Sequence, residues 1–385
     1  MKGNRPLVGL LLITLAVFLG GLLLPQLLAT RPSAPLHLVF AIGIMPLIFG
    51  AMTYFVPVLT RTGNAGPEAL LPALLALAAG ILVSFSLLAD FTLYPFAAVT
   101  GLIATGWLGY WIRQRKRGML GRPHPGLLWY ELALLALFLG LLAILAGHFL
   151  PQQWPQLRRL HLHLNTLGFI GFTALGTLRV LLPTSGRYAD PGAGPWLIQG
   201  WRWLAGGTLM IAVGAAWLPS LALLGLLCWL WPVARFAHTL LFTFRRSVWH
   251  WHGATTPLAA AALGLLLLAL SGAGHSLGWL PGDATTRAFI PLFLLPLVSG
   301  AATHLLPLWI SGPQDSARGQ LLPARPGRHA ALRALRCFCG GLTPMAGPPA
   351  GATLSLPALL HLSVSAAIAL YHRSRGPSPL TPSRR

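Results

Sequence analysis

The stretch HLVFAIGIMPLIFGAMTYFVP, residues 37–57, opens with His37, places Gly50 thirteen positions later and closes on Pro57 after seven more. A second stretch, HLNTLGFIGFTALGTLRVLLP at 163–183, repeats the pattern as His163, Gly176 and Pro183, offset by 126 residues. A third continues the series. Gly300 and Pro307 are again seven apart, 124 residues beyond Gly176 and Pro183, and Pro296 stands to Gly300 as Pro46 does to Gly50. Counted back from Gly300, the position matching the two histidines is Arg287. Each stretch is apolar and long enough to cross about 30 Å of hydrocarbon as a helix. The glycines are expected to admit a close neighbouring helix and the prolines to mark helix ends.

Apolar runs of this kind recur outward from these three. They cover 7–28, 36–59, 69–89, 91–112, 127–150, 160–182, 196–218, 221–242, 254–270, 288–310, 330–347 and 352–371. The composition agrees, with 55% hydrophobic and only 9% charged residues, against about 25% charged in a soluble domain. A soluble enzyme and a disordered chain are excluded, and three cysteines exclude a secreted disulfide scaffold. The expected fold is all-α and polytopic, with about twelve transmembrane helices. The repeat stretches fall on the second, sixth and tenth spans, which implies three pseudo-equivalent four-helix arcs. The arcs would run about 1–125, 126–250 and 251–372 within one transmembrane domain, followed by a disordered cytoplasmic tail at 373–385. The eleventh span carries Arg333 and Arg336, so eleven spans is the alternative count.

The formal charge of +21 suggests nucleic acid at first sight. With the N-terminus placed in the cytoplasm, however, eighteen basic residues fall in inner segments and four (Arg31, Arg158, Arg159 and Arg287) at the outer side. That bias fits the positive-inside rule and puts both termini in the cytoplasm of a bacterial inner membrane, with no nucleic-acid partner. The first span follows Lys2 and Arg5, exceeds a usual signal core and is expected to stay as an anchor. Cys337 and Cys339 read as small apolar side chains.

Ionisable residues inside spans are costly and point to function. His37 and His163 sit at equivalent depths near the outer side, where two neutral imidazoles could ligate haem iron or copper. The competing reading is an interfacial histidine satisfied by water. His161 lies two residues from His163, roughly 200° around a helix, so the two cannot face the same way. The repeat favours His163 as the inward one. Arg287, Arg158 and Arg159 could pair with haem propionates or with lipid headgroups. His304, inside the tenth span, is a further metal candidate, and His361 in the twelfth is expected to be a core residue.

Twelve spans in three arcs, with histidines on the second and sixth spans, resemble the catalytic subunit of the heme-copper oxidases. The leading His of the second span and its GAMTYFVPVLTRTG ending resemble the NnrS family of twelve-span proteins. That resemblance implies haem, with copper as a further metal, a diatomic gas ligand, and a role in nitric-oxide or respiratory stress. The departures disfavour oxygen reduction and leave enzymatic activity open. The seventh span has no histidine, and the tenth lacks the closely spaced histidine pair of the oxidases. The rival expectations are a cofactor-free small-solute transporter or channel, and a structural or assembly subunit.

Overall fold

The computed structural model describes residues 4–27, 31, 33–311, 326–346 and 350–374, and contains no strand among them. The chain forms α1 (Arg5–Leu27), α2 (Ala34–Thr60), α3 (Pro67–Leu88), α4 (Tyr94–Arg117), α5 (Gly126–Phe149) and α6 (Pro151–Gly186). It continues with α7 (Ala193–Trp217), α8 (Pro219–Thr243), α9 (Thr255–Ser276), α10 (Gly282–Ile310), α11 (Ala330–Ala346) and α12 (Ala350–Ser374). Ten of these helices are long and apolar enough to cross a membrane, so the chain is a multi-pass membrane protein. Helices α7 and α11 fall outside that set. The weakness of α11 follows from Arg333 and Arg336, whereas α7 is diluted by Gln199, Arg202 and five glycines. The tail expected from 373 lies outside the described residues from 375 onward.

The three repeat helices share a backbone irregularity. Each passes through a π-helical segment: Leu38–Ile44 in α2, Leu164–Ile170 in α6 and Ile290–Leu294 in α10. The starts are 126 residues apart, but the first two segments have seven residues and the third has five. Regular α-helix therefore resumes at Met45, Gly171 and Leu295, offset by 126 and then 124. The two-residue change in the sequence repeat is thus located inside the π segment. Such segments loosen the backbone ladder and occur often at functional sites.

Packing around the repeat helices is also alike. A Cβ on Gly50 would come within 2.7 Å of Leu10 in α1, one on Gly176 within 2.6 Å of Trp129 in α5, and one on Gly300 within 2.6 Å of Leu258 in α9. Each of these glycines lets the helix before it approach closely. Helix α1 also packs on α10, α5 on α2 and α9 on α6. The prolines sit one turn before the helix ends. Arg61 and Arg187 close α2 and α6 in the left-handed conformation (φ 54° and 53°), and the N–H groups of Thr62 and Tyr188 donate to the carbonyls of Pro57 and Pro183.

Two ends of the bundle can be told apart. At the first, the Arg31 guanidinium lies over the Phe91 ring, Phe91 meets Trp154, and Tyr94 meets His148. We call it the histidine end. At the other, the basic end, Arg115 donates to the Gly63 carbonyl at 2.7 Å and Lys116 pairs with Glu131 at 2.9 Å. Arg179 and Asp190 form a buried ion pair at 3.1 Å there, with the guanidinium between the Trp196 and Phe236 rings. Large apolar side chains such as Phe85, Phe96, Ile103 and Leu227 are exposed on α3, α4 and α8, as a lipid-facing surface requires.

Candidate functional site

Four imidazoles at the histidine end are held in the same way. His37, in the first turn of α2, donates from Nδ1 to the Ser33 carbonyl at 2.9 Å. His163 donates to the Arg159 carbonyl at 2.9 Å, one helical turn back. His161 reaches across to α5 and donates to the Gly140 carbonyl at 2.9 Å. His275, at the end of α9, donates to the Leu280 carbonyl at 3.1 Å. A carbonyl can only accept, so each of these contacts places the proton on Nδ1 and leaves Nε2 its lone pair. The His161 Nδ1 also lies 3.2 Å from the Asn165 amide nitrogen, and the shorter Gly140 contact is the one that agrees with this tautomer. Metal-ligating histidines are oriented by this same second contact.

Two of the four come together. The His37 and His161 rings have centroids 6.3 Å apart and planes only 6° from parallel. Two imidazoles on opposite sides of one metal, each bonded at about 2.0 Å, would have centroids roughly 6 Å apart. The ring that lies beside that of His37 is therefore that of His161, where the repeat had favoured His163. What turns His161 inward is the α5 backbone at Gly140, a residue without a side chain to cover its carbonyl. Asn165, in the π segment of α6, donates to the His161 carbonyl at 2.7 Å and steadies the same turn.

The remaining candidates are spread around this pair. Arg158 and Arg159 are exposed on α6 beside His161 and His163. Arg287 is exposed and already paired with Asp283 at 2.5 Å. The residues immediately before the three π segments are His37, His163 and Phe289, so a count from the π segment selects Phe289 where a count from Gly300 selects Arg287. Phe289 packs against Phe40 with ring centroids 5.6 Å apart. His304 lies fifteen residues further along α10, roughly 20 Å from the level of Phe289, and does not join the pair. Among the described residues, no three His, Cys, Asp or Glu side chains group to hold a metal ion.

Histidines at the basic end are held in the opposite sense. His329 Nδ1 accepts from the Trp251 indole at 3.1 Å, and His252 Nδ1 accepts from the His329 backbone N–H at 3.0 Å. The His361 ring lies 6.4 Å from that of His329, which has a φ of 51°. His124 Nδ1 accepts from the Gly126 N–H at 3.0 Å. Burial, and then the charge of Arg61, lower the His124 pKa from its ordinary value. In His124, His252 and His329 the neutral form carries its proton on Nε2, and the Nδ1 lone pair is already engaged.

Between the two ends, α2, α6 and α10, with Leu11 of α1 and Tyr130 of α5, line a partly open apolar recess of about 100 Å³. Its walls use matching positions of the three helices, such as Leu47, Thr173 and Leu297, or Met52, Leu178 and Ala302. These triplets, like the glycines, are spaced by 126 and 124 residues.

Comparison of the sequence with protein-family models and with curated proteins returns no match.

Proposed function

We propose that this is an integral membrane haem protein, in which His37 and His161 at the histidine end would hold the haem. The observation that carries this reading is the pair of near-parallel rings 6.3 Å apart, both with Nδ1 fixed on backbone carbonyls. A pair of imidazoles suits a metal that brings its other donors with it, as haem iron brings four porphyrin nitrogens. Copper is the alternative metal. When bound, haem would supply one-electron exchange and a site for a diatomic gas. The chain's own residues would hold the two ring orientations, and Arg158 and Arg159 would face the propionates. Arg287 is engaged by Asp283 and is the weaker candidate.

The same proposal includes twelve spans in three arcs and cytoplasmic termini in a bacterial inner membrane. Three observations support the arcs: matching π segments, matching glycine contacts, and the cyclic packing of α1, α5 and α9 on α10, α2 and α6. The excess of basic residues at the basic end supports the orientation. A role in nitric-oxide or respiratory stress rests on the resemblance to the NnrS family, and fold likeness alone does not fix function.

The test is the absorption spectrum of the full chain, purified after expression with added haem precursor. A Soret band and a pyridine haemochrome are expected, lost in His37→Ala and in His161→Ala and retained in His163→Ala. A colourless protein with adequate haem supply would overturn the proposal.

A further inference from the structure

Helix α8 turns one face outward along most of its length. Leu224, Leu227, Trp231, Arg235 and His238 are all exposed. At about 100° per residue they fall within roughly 80° of one another around the axis. The face changes character toward the basic end. It is aliphatic at Leu224 and Leu227, aromatic at Trp231, and cationic at Arg235. The Arg235 guanidinium lies 5.7 Å from the Trp231 ring centroid, and the His238 and Phe242 rings are 4.8 Å apart. Beyond the π-helical end of α8, Thr239–Thr243, an open recess is lined by Leu241, Arg245 and Trp249. The Trp249 indole donates to the Leu240 carbonyl at 3.0 Å, which fixes its ring in the recess wall.

The protein supplies these cations with no anion. The described residues form three ion pairs, Lys116–Glu131, Arg179–Asp190 and Arg287–Asp283, and neither Arg235 nor Arg245 is in one. No Asp or Glu occurs between Asp190 and Asp283, and Asp190 is itself committed to Arg179 in the buried pair. Arg235 stands eight residues, about 12 Å, before the end of α8 at Thr243. An exposed charge at that depth lies at the edge of the hydrocarbon, where it is costly unless an anion meets it. On an outward face that anion must come from the lipid. A zwitterionic headgroup would bring a cation as well, and this face has no carboxylate to receive it.

We infer that the outward face of α8 at the basic end binds the headgroup of an anionic phospholipid. Arg235, with His238 one turn on, meets the phosphodiester, and the acyl chains run along Trp231, Leu227 and Leu224. Arg245 lies ten residues further on and adds longer-range attraction only. The continuity of the cationic positions with the apolar ones on a single face selects a lipid over a soluble anion. The inference stands on this membrane helix alone and does not require haem.

The full chain in detergent is titrated with phosphatidylglycerol or with phosphatidylcholine of the same acyl chains, and retained lipid is counted by native mass spectrometry. Preferential retention of phosphatidylglycerol is expected. Arg235→Gln should reduce that preference roughly fivefold, the share of one basic residue near a membrane surface. Arg235→Lys should keep most of it, and Arg245→Gln should reduce it less than Arg235→Gln. Arg117→Gln, exposed at the basic end on α4, removes the same charge elsewhere and should leave the preference intact. Circular dichroism checks the folding of each variant. Equal retention of the two lipids, or a preference lost as much in Arg117→Gln as in Arg235→Gln, would overturn the site. Displacement of phosphatidylglycerol by millimolar inorganic phosphate would overturn the lipid as the source of the anion.

Discussion

The histidines at the two ends of the bundle are the same residue put to opposite use. At the histidine end, His37, His161, His163 and His275 all donate from Nδ1 to carbonyls, which leaves Nε2 basic. At the basic end, His252, His329 and His124 accept at Nδ1 from an indole or a backbone N–H. The difference lies in the backbone that each ring meets. A helix carbonyl one turn back, one bared by a glycine such as Gly140, or a carbonyl just past the helix end such as that of Leu280, turns an imidazole into a prospective ligand. A loop N–H turns it into a clamp between segments. Histidine content alone says nothing of this division.

The contrast can be broken most forcefully at the paired rings. His37→Ala or His161→Ala should lower haem content at least about tenfold, since even the outer contacts of metal ligands matter to that extent. His252→Ala and His329→Ala should leave haem content unchanged. Haem stoichiometry by pyridine haemochrome measures both arms, and equal loss at the two ends would erase the distinction.

The π segments that follow His37 and Phe289 are held by close glycine approach. A Cβ on Gly80 of α3 would strike the Ala41 carbonyl, and one on Gly264 of α9 the Leu292 carbonyl. Gly80→Leu and Gly264→Leu should each destabilise the fold by about 1–3 kcal/mol through overpacking. Thermal unfolding in detergent should show both, with Gly80→Leu also disturbing the His37 site and Gly264→Leu sparing it. At the basic end, His329→Ala removes the acceptor for Trp251 and should cost about 1 kcal/mol. That loss should appear in the melting curve with no change in any haem band.

The smallest expected effect is one of pH. His124 titrates below its ordinary value in the folded chain, so the unfolded chain binds the proton first as pH falls. Its contribution is intact above the unfolded value and fades as pH drops through and below about 6.5. His124→Asn should flatten the pH dependence of the melting temperature in that window. A slope unchanged by the substitution would remove His124 from the account.

Much of this architecture could be read from His37, Gly50 and Pro57 and their echoes. The glycines fall where helices touch, and the prolines fall one turn before the left-handed caps at Arg61 and Arg187. The π segments left no signature, because they alter hydrogen bonding without altering hydropathy. That is why counting from Gly300 leads to Arg287, while the shorter third segment brings Phe289 to the position before it. The pairing of His161 with His37 was hidden for a related reason. Sequence spacing on one helix cannot tell that a bare carbonyl on α5 lies within reach. The weakness of α11 was visible in Arg333 and Arg336, whereas α7 looked like an ordinary span until its glycines and Arg202 were weighed. The buried pair of Arg179 and Asp190 joins residues on either side of a helix end, and no periodicity marks it.

Electron paramagnetic resonance of the oxidised, purified protein tests the central claim most directly. Imidazole planes only 6° apart on one iron should give a rhombic low-spin signal, absent from His161→Ala and unchanged in His163→Ala. A high-spin signal alone, or a low-spin signal that survives His161→Ala, would contradict ligation by His37 and His161.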